Sequence, residues 1–229
     1  MIETVLALRT PFHLLIVDDG SPDGTAQIVK DYQKQYHDRL FMLERSGKLG
    51  LGTAYIAGFR WGLERNYEHI CEMDADFSHS PSDLENLVAA LQNGADVAVG
   101  SRYVAGGNVD NWTIDRIILS YGASMYVRAV TRMPVKDPTA GFVAYRRDVL
   151  DTIDLSKIRF VGYAFQIEMK FAARQLGFSI VEVPITFVDR VLGSSKMNLG
   201  IFNEGILGVI QMRWRSFFSS YALPKAVAE

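Results

Sequence analysis

The chain has few of the residues that staple a fold or carry nucleophilic chemistry. A single cysteine, Cys71, excludes an internal disulfide. Its place in a predicted strand makes it a small buried thiol, in keeping with a reducing compartment. Four histidines, His13, His37, His69 and His79, are scattered along the sequence, and none stands out as a catalytic base. Basic charge is not in excess: 24 lysines and arginines face 26 acidic residues, a net charge of −2. No global field draws in nucleic acid, and no nucleic-acid partner is expected. Nor is there an apolar run of the roughly 18 residues that a membrane span needs. Gly200 to Met212 comes closest, but Asn203, Glu204 and Gln211 interrupt it. Met1-Ile2-Glu3-Thr4 lacks the basic start and apolar core of a secretory leader, so none is expected.

What is present is a globular chain. Hydrophobic residues make up 48% of 229 positions, which excludes disorder and allows a substantial core. Strands are predicted at Phe12 to Val17, Leu40 to Leu43, His69 to Met73 and Asp96 to Val99. Helices are predicted between them at Asp23 to Tyr36, Gly52 to Leu63 and Pro81 to Leu91, the last with Ser80 as its cap. This alternation predicts an α/β fold, a parallel sheet with helices on both faces and ligands beyond the carboxyl ends of the strands. The rhythm loosens after Gly100. A loop at Gly106-Gly107-Asn108 and a long helix over Ile114 to Val130 are followed by a strand at Phe142 to Tyr145 and a helix over Phe165 to Gln175. Two strands broken by Pro184, Ser179 to Val183 and Ile185 to Val188, precede a final helix over Ile201 to Phe218.

Two acidic pairs close predicted strands. Asp74-Ala75-Asp76 ends the third, and alternation along an extended chain would send both carboxylates to one side. Two anions that close repel unless a cation lies between them, and a hard divalent ion such as Mg²⁺ or Mn²⁺ suits oxygen ligands. Asp76 would ligate it, with Ser78 adding a weaker oxygen; the competing reading is a solvated acidic turn. His79 reads as a surface turn residue outside the site. Upstream, Asp18-Asp19 opens the turn Gly20-Ser21-Pro22-Asp23-Gly24-Thr25. A carboxylate there accepts hydrogen bonds from a nucleotide base, or the segment is a strand-to-helix turn with Asp23 as the cap. The glycines match neither a dinucleotide fingerprint nor a Walker loop, and Gly47-Lys48-Leu49-Gly50-Leu51-Gly52 is either a close backbone approach or a helix lead-in. Arg190 and Lys196 flank Gly193-Ser194-Ser195, a composition suited to gripping and releasing an anion. Arg102, Arg116 and Arg128 are further cations that would converge there.

Together with Gly100-Ser101-Arg102-Tyr103 and Asp137-Pro138-Thr139-Ala140-Gly141-Phe142, these motifs resemble the dolichol-phosphate (polyprenyl-phosphate) mannose synthases, inverting glycosyltransferases of the GT-A fold. The resemblance implies a GT-A domain over residues 1–199, then an amphipathic helix and tail over 200–229. It implies transfer of mannose from GDP-mannose to a polyprenyl phosphate; a donor such as UDP-glucose, or an impaired nucleotide-sugar-binding fragment, is the alternative. By position, Val17 and Asp19 would contact the nucleoside, and Asp74, Ala75 and Asp76 the ribose and diphosphate, with Asp76 on the metal. Arg116, Arg128, Arg190 and Lys196 would bind the phosphates of donor and acceptor. Tyr163 to Gln166 and Glu168 match a segment near the acceptor. One departure is expected to matter: the family begins with a strand inside the sheet, whereas Met1 to Leu8 reads as the helix after it, so a truncated or misassigned start is expected, with neighbouring backbone exposed. A lipid acceptor implies a membrane surface, a peripheral protein on its cytoplasmic face, and a membrane-embedded partner. Phe202, Ile206, Val209, Ile210, Phe217 and Phe218, near helical spacing with Arg213, Trp214 and Arg215, form either an interfacial helix or a face docked on the domain.

Overall fold

The computed structural model describes residues 1–189 and 199–224, and side chains from 205 onward in the last helix. A short α1 (Ile2–Leu6) leads into β1 (Leu14–Asp18), α2 (Thr25–Gln35), β2 (Leu40–Glu44), α3 (Leu51–Glu64) and β3 (His69–Glu72). The chain continues through α4 (Asp83–Gln92), β4 (Val97–Ser101), β5 (Asn108–Asp110) and α5 (Ile114–Thr131). It ends with β6 (Val143–Arg146), α6 (Arg147–Thr152), α7 (Ala164–Gln175), β7 (Ile180–Pro184), β8 (Thr186–Val188) and α8 (Leu199–Arg215).

The predicted elements are present, with three local differences. Helix α4 starts at Asp83, and Ser82, not Ser80, occupies its N-cap position; the two serine hydroxyls bond each other at 2.8 Å. Asn108, expected in a loop, starts β5. Pro184 closes β7, after which the chain changes sheets and β8 pairs with β5. That break follows from proline's missing N–H, which cannot continue a ladder.

The sheet is mostly parallel, but not wholly. Strands β1 and β2 pair in parallel, as do β4 and β7, while β6 inserts antiparallel between β3 and β4. More telling, the sheet comes in two pieces. The order β3-β6-β4-β7 is one, β1-β2 another, and among the described residues no strand joins β1 to β3. Residues 14–17 of β1 are only half-buried, whereas all of β4 is buried. Helix α3 lies across both pieces. Gly58 rests over Leu15 and Val17 of β1, and Gly62 lies so close to β3 that a Cβ there would stand 2.8 Å from Ile70 Cδ1.

Alternation sorts the larger sheet into two covered faces. Val97, Val99, Val143 and Tyr145 face the main core with α3, α5, α7 and α8; Ala98, Phe142 and Ala144 face α1 and α4. Helix α8 joins the main core through Val209 and Met212. Glu168, in the segment expected near an acceptor, holds this C-terminal segment. Fully buried, it accepts from Arg159 N–H (2.7 Å), Phe160 N–H (3.0 Å), Tyr221 O–H (3.0 Å) and the Arg215 guanidinium (3.4 Å). Removing its carboxylate orphans two backbone donors and a shielded cation. Glu168→Ala should therefore cost about 3 kcal/mol or more of stability, read as a lower urea midpoint at unchanged slope.

Candidate active site

At the end of β1, Asp18 turns back on its own loop, accepting the N–H groups of Gly20 and Ser21 at 3.1 and 3.2 Å. Asp19 faces Arg45, which follows β2. The guanidinium grips both carboxylate oxygens at 2.6 and 2.7 Å and donates to Thr53 Oγ1 at 2.9 Å. That hydrogen-bonded fork holds the Asp19 carboxyl below its usual range, with a weaker pull from Lys48. Asp23 serves the turn, accepting from Thr25 N–H and Oγ1.

Strand β3 stops at Glu72, so alternation does not orient Asp74 and Asp76; both lie in the turn beyond. Their orientation comes from local hydrogen bonds. Tyr55 O–H donates to Asp74 Oδ1 at 2.9 Å, and Ser78 N–H to Asp76 Oδ1 at 3.0 Å. Phe77, at φ 60°, makes the left-handed step that closes the turn. Ser78 is buried, and its carbonyl accepts from Val188 N–H of β8 at 3.0 Å.

The first turn of α3 unites the two acidic segments. Thr53 and Tyr55 are two residues apart, so their side chains leave the helix on nearly opposite sides. One reaches the Arg45–Asp19 pair, the other Asp74. The glycine-rich segment before them is a helix lead-in: Gly52 N–H bonds Val161 O and Thr53 N–H bonds Gly50 O. These donors are spent and do not cradle a phosphate.

Other expected residues are placed as follows. Val17 lies under α3 against Gly58, and Ala75 is exposed at the tip of the turn. Arg102 is not available to a ligand. It is buried in a bidentate pair with Asp137 at 2.6 and 2.7 Å and also bonds Thr139, so two of the motifs form one structural joint. Arg116 pairs with Asp189 and lies 4.2 Å from the Trp112 ring centre. Arg128 is half-buried with a shielded Nε and has no hydrogen-bond partner among the described residues. Arg190 and Lys196 lie outside the described residues. His79, expected at the surface, is 3% exposed, stacked on Phe142 at 4.9 Å and edge-on to Phe187. Cys71 is half-buried, and desolvation pushes its thiol up to about 12, which leaves it inert.

The donor set fits a hard divalent ion shared with a ligand. Among the described residues no three His, Cys, Asp or Glu side chains form a closed site. An Mg²⁺ or Mn²⁺ held by one or two carboxylates and phosphate oxygens needs none. Arg45 and Tyr55 are the partners of Asp19 and Asp74 that the sequence reading missed; the signals were a basic residue just past a strand end and a tyrosine within an otherwise small-residue helix start.

This architecture defines a class, the GT-A glycosyltransferases. The chain superposes on glucosyl-3-phosphoglycerate synthase from Mycobacterium tuberculosis in complex with Mn²⁺, UDP and glucosyl-3-phosphoglycerate, with a TM-score of 0.57 at 18% identity over 89% of this chain and 68% of that one. It also superposes on a mannosyltransferase from Pyrobaculum calidifontis in complex with GDP-Man and Mn²⁺, with a TM-score of 0.57 at 14% identity over 97% and 61% of the two chains. Residues 1–154 match the model of glycosyl transferase family 2, and the chain belongs to that family. It is 49% identical over 199 residues to polyprenol monophosphomannose synthase of Mycolicibacterium smegmatis, covering 87% of this chain and 75% of the relative. It is 48% identical over 201 residues to undecaprenyl-phosphate mannosyltransferase of Micrococcus luteus, covering 88% and 81%. The resemblance drawn from the motifs holds.

Beneath Asp74 lies a fully buried group of charges. Glu72 accepts from Tyr145 O–H at 3.2 Å, and Lys170 Nζ donates to the carbonyls of Ala140 (2.6 Å) and Gln166 (3.0 Å). The Gln166 carboxamide pulls on Glu72 electrostatically without an ordinary hydrogen bond. Desolvation raises Glu72 to about 8, and Lys170, Gln166 and Tyr145 only partly oppose it. A carboxyl raised on folding costs stability as pH climbs from its unfolded to its folded value. Glu72→Gln should gain stability relative to the parent between about pH 5 and 8, by at most about 1.4 kcal/mol per pH unit, and no further above that. Urea unfolding across this range reads it directly.

Proposed function

We propose that this protein transfers mannose from GDP-mannose to a polyprenyl phosphate, inverting the sugar's anomeric centre. The observation that carries the reading is the joining of the two acidic turns by one turn of α3, in a chain nearly half identical to two polyprenyl-phosphate mannosyltransferases. Solved relatives of the fold hold UDP-glucose or GDP-mannose, so the fold alone does not choose the donor, and UDP-glucose remains the second candidate to be offered.

Asp74 and Ala75 contact the ribose and diphosphate, with Asp19 and Val17 on the nucleoside side. Asp76, with Ser78 next to it, would hold Mg²⁺ or Mn²⁺, which offsets the diphosphate charge as the nucleotide leaves. A phosphate monoester has a second pKa near 6, so the acceptor is already largely ionised at neutral pH and needs no strong base. This accords with His79, which is packed between aromatic rings rather than poised in a triad. The harder task is bringing two polyanions together. Arg116 and Arg128 stand on α5, and Arg190 and Lys196 follow β8, so cations come from two segments that Arg116–Asp189 ties together.

Surface chemistry supports a lipid-borne acceptor. Among the described residues no helix is long and apolar enough to cross a membrane. Helix α8 buries Val209 and Met212 while Leu207, Ile210 and Trp214 stay exposed, as do Phe217 and Phe218 just beyond it, which supports a docked face and an interfacial one. Its neighbour α5 adds Ile114, Ile118, Tyr121 and Met125, an i, i+4, i+7, i+11 stripe. Ile114 is 76% and Phe218 78% exposed. Such faces beside Arg213 suit a peripheral protein on anionic lipid, on the cytoplasmic side where sugar nucleotides are expected, with or without a membrane-embedded partner.

Two experiments test the reading. Radiolabelled mannose should pass from GDP-mannose into extracted polyprenyl phosphate; chelator should abolish transfer, and Asp76→Ala should lower it about 100-fold or more. Transfer from UDP-glucose alone would move the reading to the second donor, and near-normal turnover by Asp76→Ala would remove the metal assignment. In liposome flotation, combining Ile118→Ser with Phe217→Ser and Phe218→Ser should strip most of the chain from anionic vesicles. Unchanged flotation counts against both helices.

A further inference from the structure

Tyr55 has no part in the steps above, yet it is the hydrogen-bond partner of Asp74 among the described residues. Asp74 lies beyond the last ladder bond of β3, so no backbone pairing orients it. Its carboxylate swings about two side-chain torsions, and a single hydrogen bond sets which oxygen faces outward. Tyr55 is itself held tightly. Its ring stacks on Phe165 at 5.8 Å and 8°, and on Phe59 at 6.4 Å and 24°. One turn earlier, a Cβ on Gly52 would stand 2.6 Å from the Phe165 ring. The start of α3 is therefore wedged against α7 and places the hydroxyl at a fixed point. Burial, then the charges of Asp74 and Glu72, raise the Tyr55 hydroxyl well above its ordinary value, so it stays a donor at any working pH.

We propose that Tyr55 is a positioning residue of the donor site: its hydroxyl fixes the Asp74 carboxylate against the ribose and diphosphate of the sugar nucleotide, and Phe165 fixes Tyr55. This rests on the reading of Asp74 as a nucleotide contact. Phe165 belongs to the segment expected near the acceptor, so the donor carboxylate takes its height from the wall of the acceptor side. The hydrogen bond joins a neutral donor to a charged acceptor, a type whose loss costs about tenfold in binding or somewhat more.

The test compares the parent chain with Tyr55→Phe, Asp74→Ala and the double variant. KM for GDP-mannose should rise about tenfold in Tyr55→Phe, with kcat changed less than about threefold and KM for polyprenyl phosphate unchanged. Calorimetric Kd for GDP with Mn²⁺ should rise in parallel. In the Asp74→Ala background, which removes the acceptor oxygen, the same tyrosine change should have little further effect on GDP binding, because its route of action is gone. A generic loss of packing would instead lower the unfolding midpoint and weaken binding equally in both backgrounds, and that outcome overturns the proposal. So does a donor KM within about twofold of the parent, or an effect confined to the acceptor. A parent chain that binds neither GDP nor UDP overturns the reading of Asp74 and this proposal together. Normal parent binding with an indistinguishable Tyr55→Phe overturns the positioning role alone.

Discussion

The structure depends on one constraint: two clusters of negative charge, from strands that do not pair with each other, are both tied to one helix. Nothing in the backbone ladders does this, because β1 and β3 belong to separate sheet pieces. Side chains on α3 do it instead. Thr53 meets the Arg45 fork that holds Asp19, and Tyr55 meets Asp74. The small residues of α3 serve the same end, since close contact of Gly58 and Gly62 with the strands below keeps one helix seated on both pieces. In a sheet of unbroken ladders the two acidic turns would inherit their spacing from strand pairing. Here the helix carries that burden, and the Asp74 turn is held as firmly as the α3–α7 contact beneath it.

Much of this was legible in the sequence wherever the information is local. The strand–helix rhythm, the acidic strand ends and the helix boundaries follow from periodicity and turn chemistry over ten or so residues. What escaped was pairing across long separations. The antiparallel insertion of β6 between β3 and β4 leaves no mark on its own four residues. Arg102 looked like a free cation because Asp137 is 35 positions away. His79 looked exposed because a histidine in a polar turn usually is; its burial comes from Phe187, far along the chain. The donors to Glu168 lie in the loop before α7 and in the C-terminal segment, which no local pattern records.

Pre-pairing of cations has a consequence for how charge is managed. Arg45 and Arg116 each arrive already bonded to an aspartate, Asp19 and Asp189. A guanidinium held that way loses little conformational entropy when an anion approaches. The cost is that the carboxylate competes with the ligand. Such an arrangement favours a ligand with more charge than one carboxylate, a diphosphate or a phosphate dianion, over singly charged metabolites. Arg128, by contrast, has a shielded Nε with no hydrogen-bond partner among the described residues. An unpaired, partly desolvated cation is unfavourable at rest, and a phosphate that satisfies it recovers that penalty on binding. A pre-paired arginine thus discriminates by charge while an unpaired one adds affinity, and the phosphate roles proposed for Arg116 and Arg128 differ in that way.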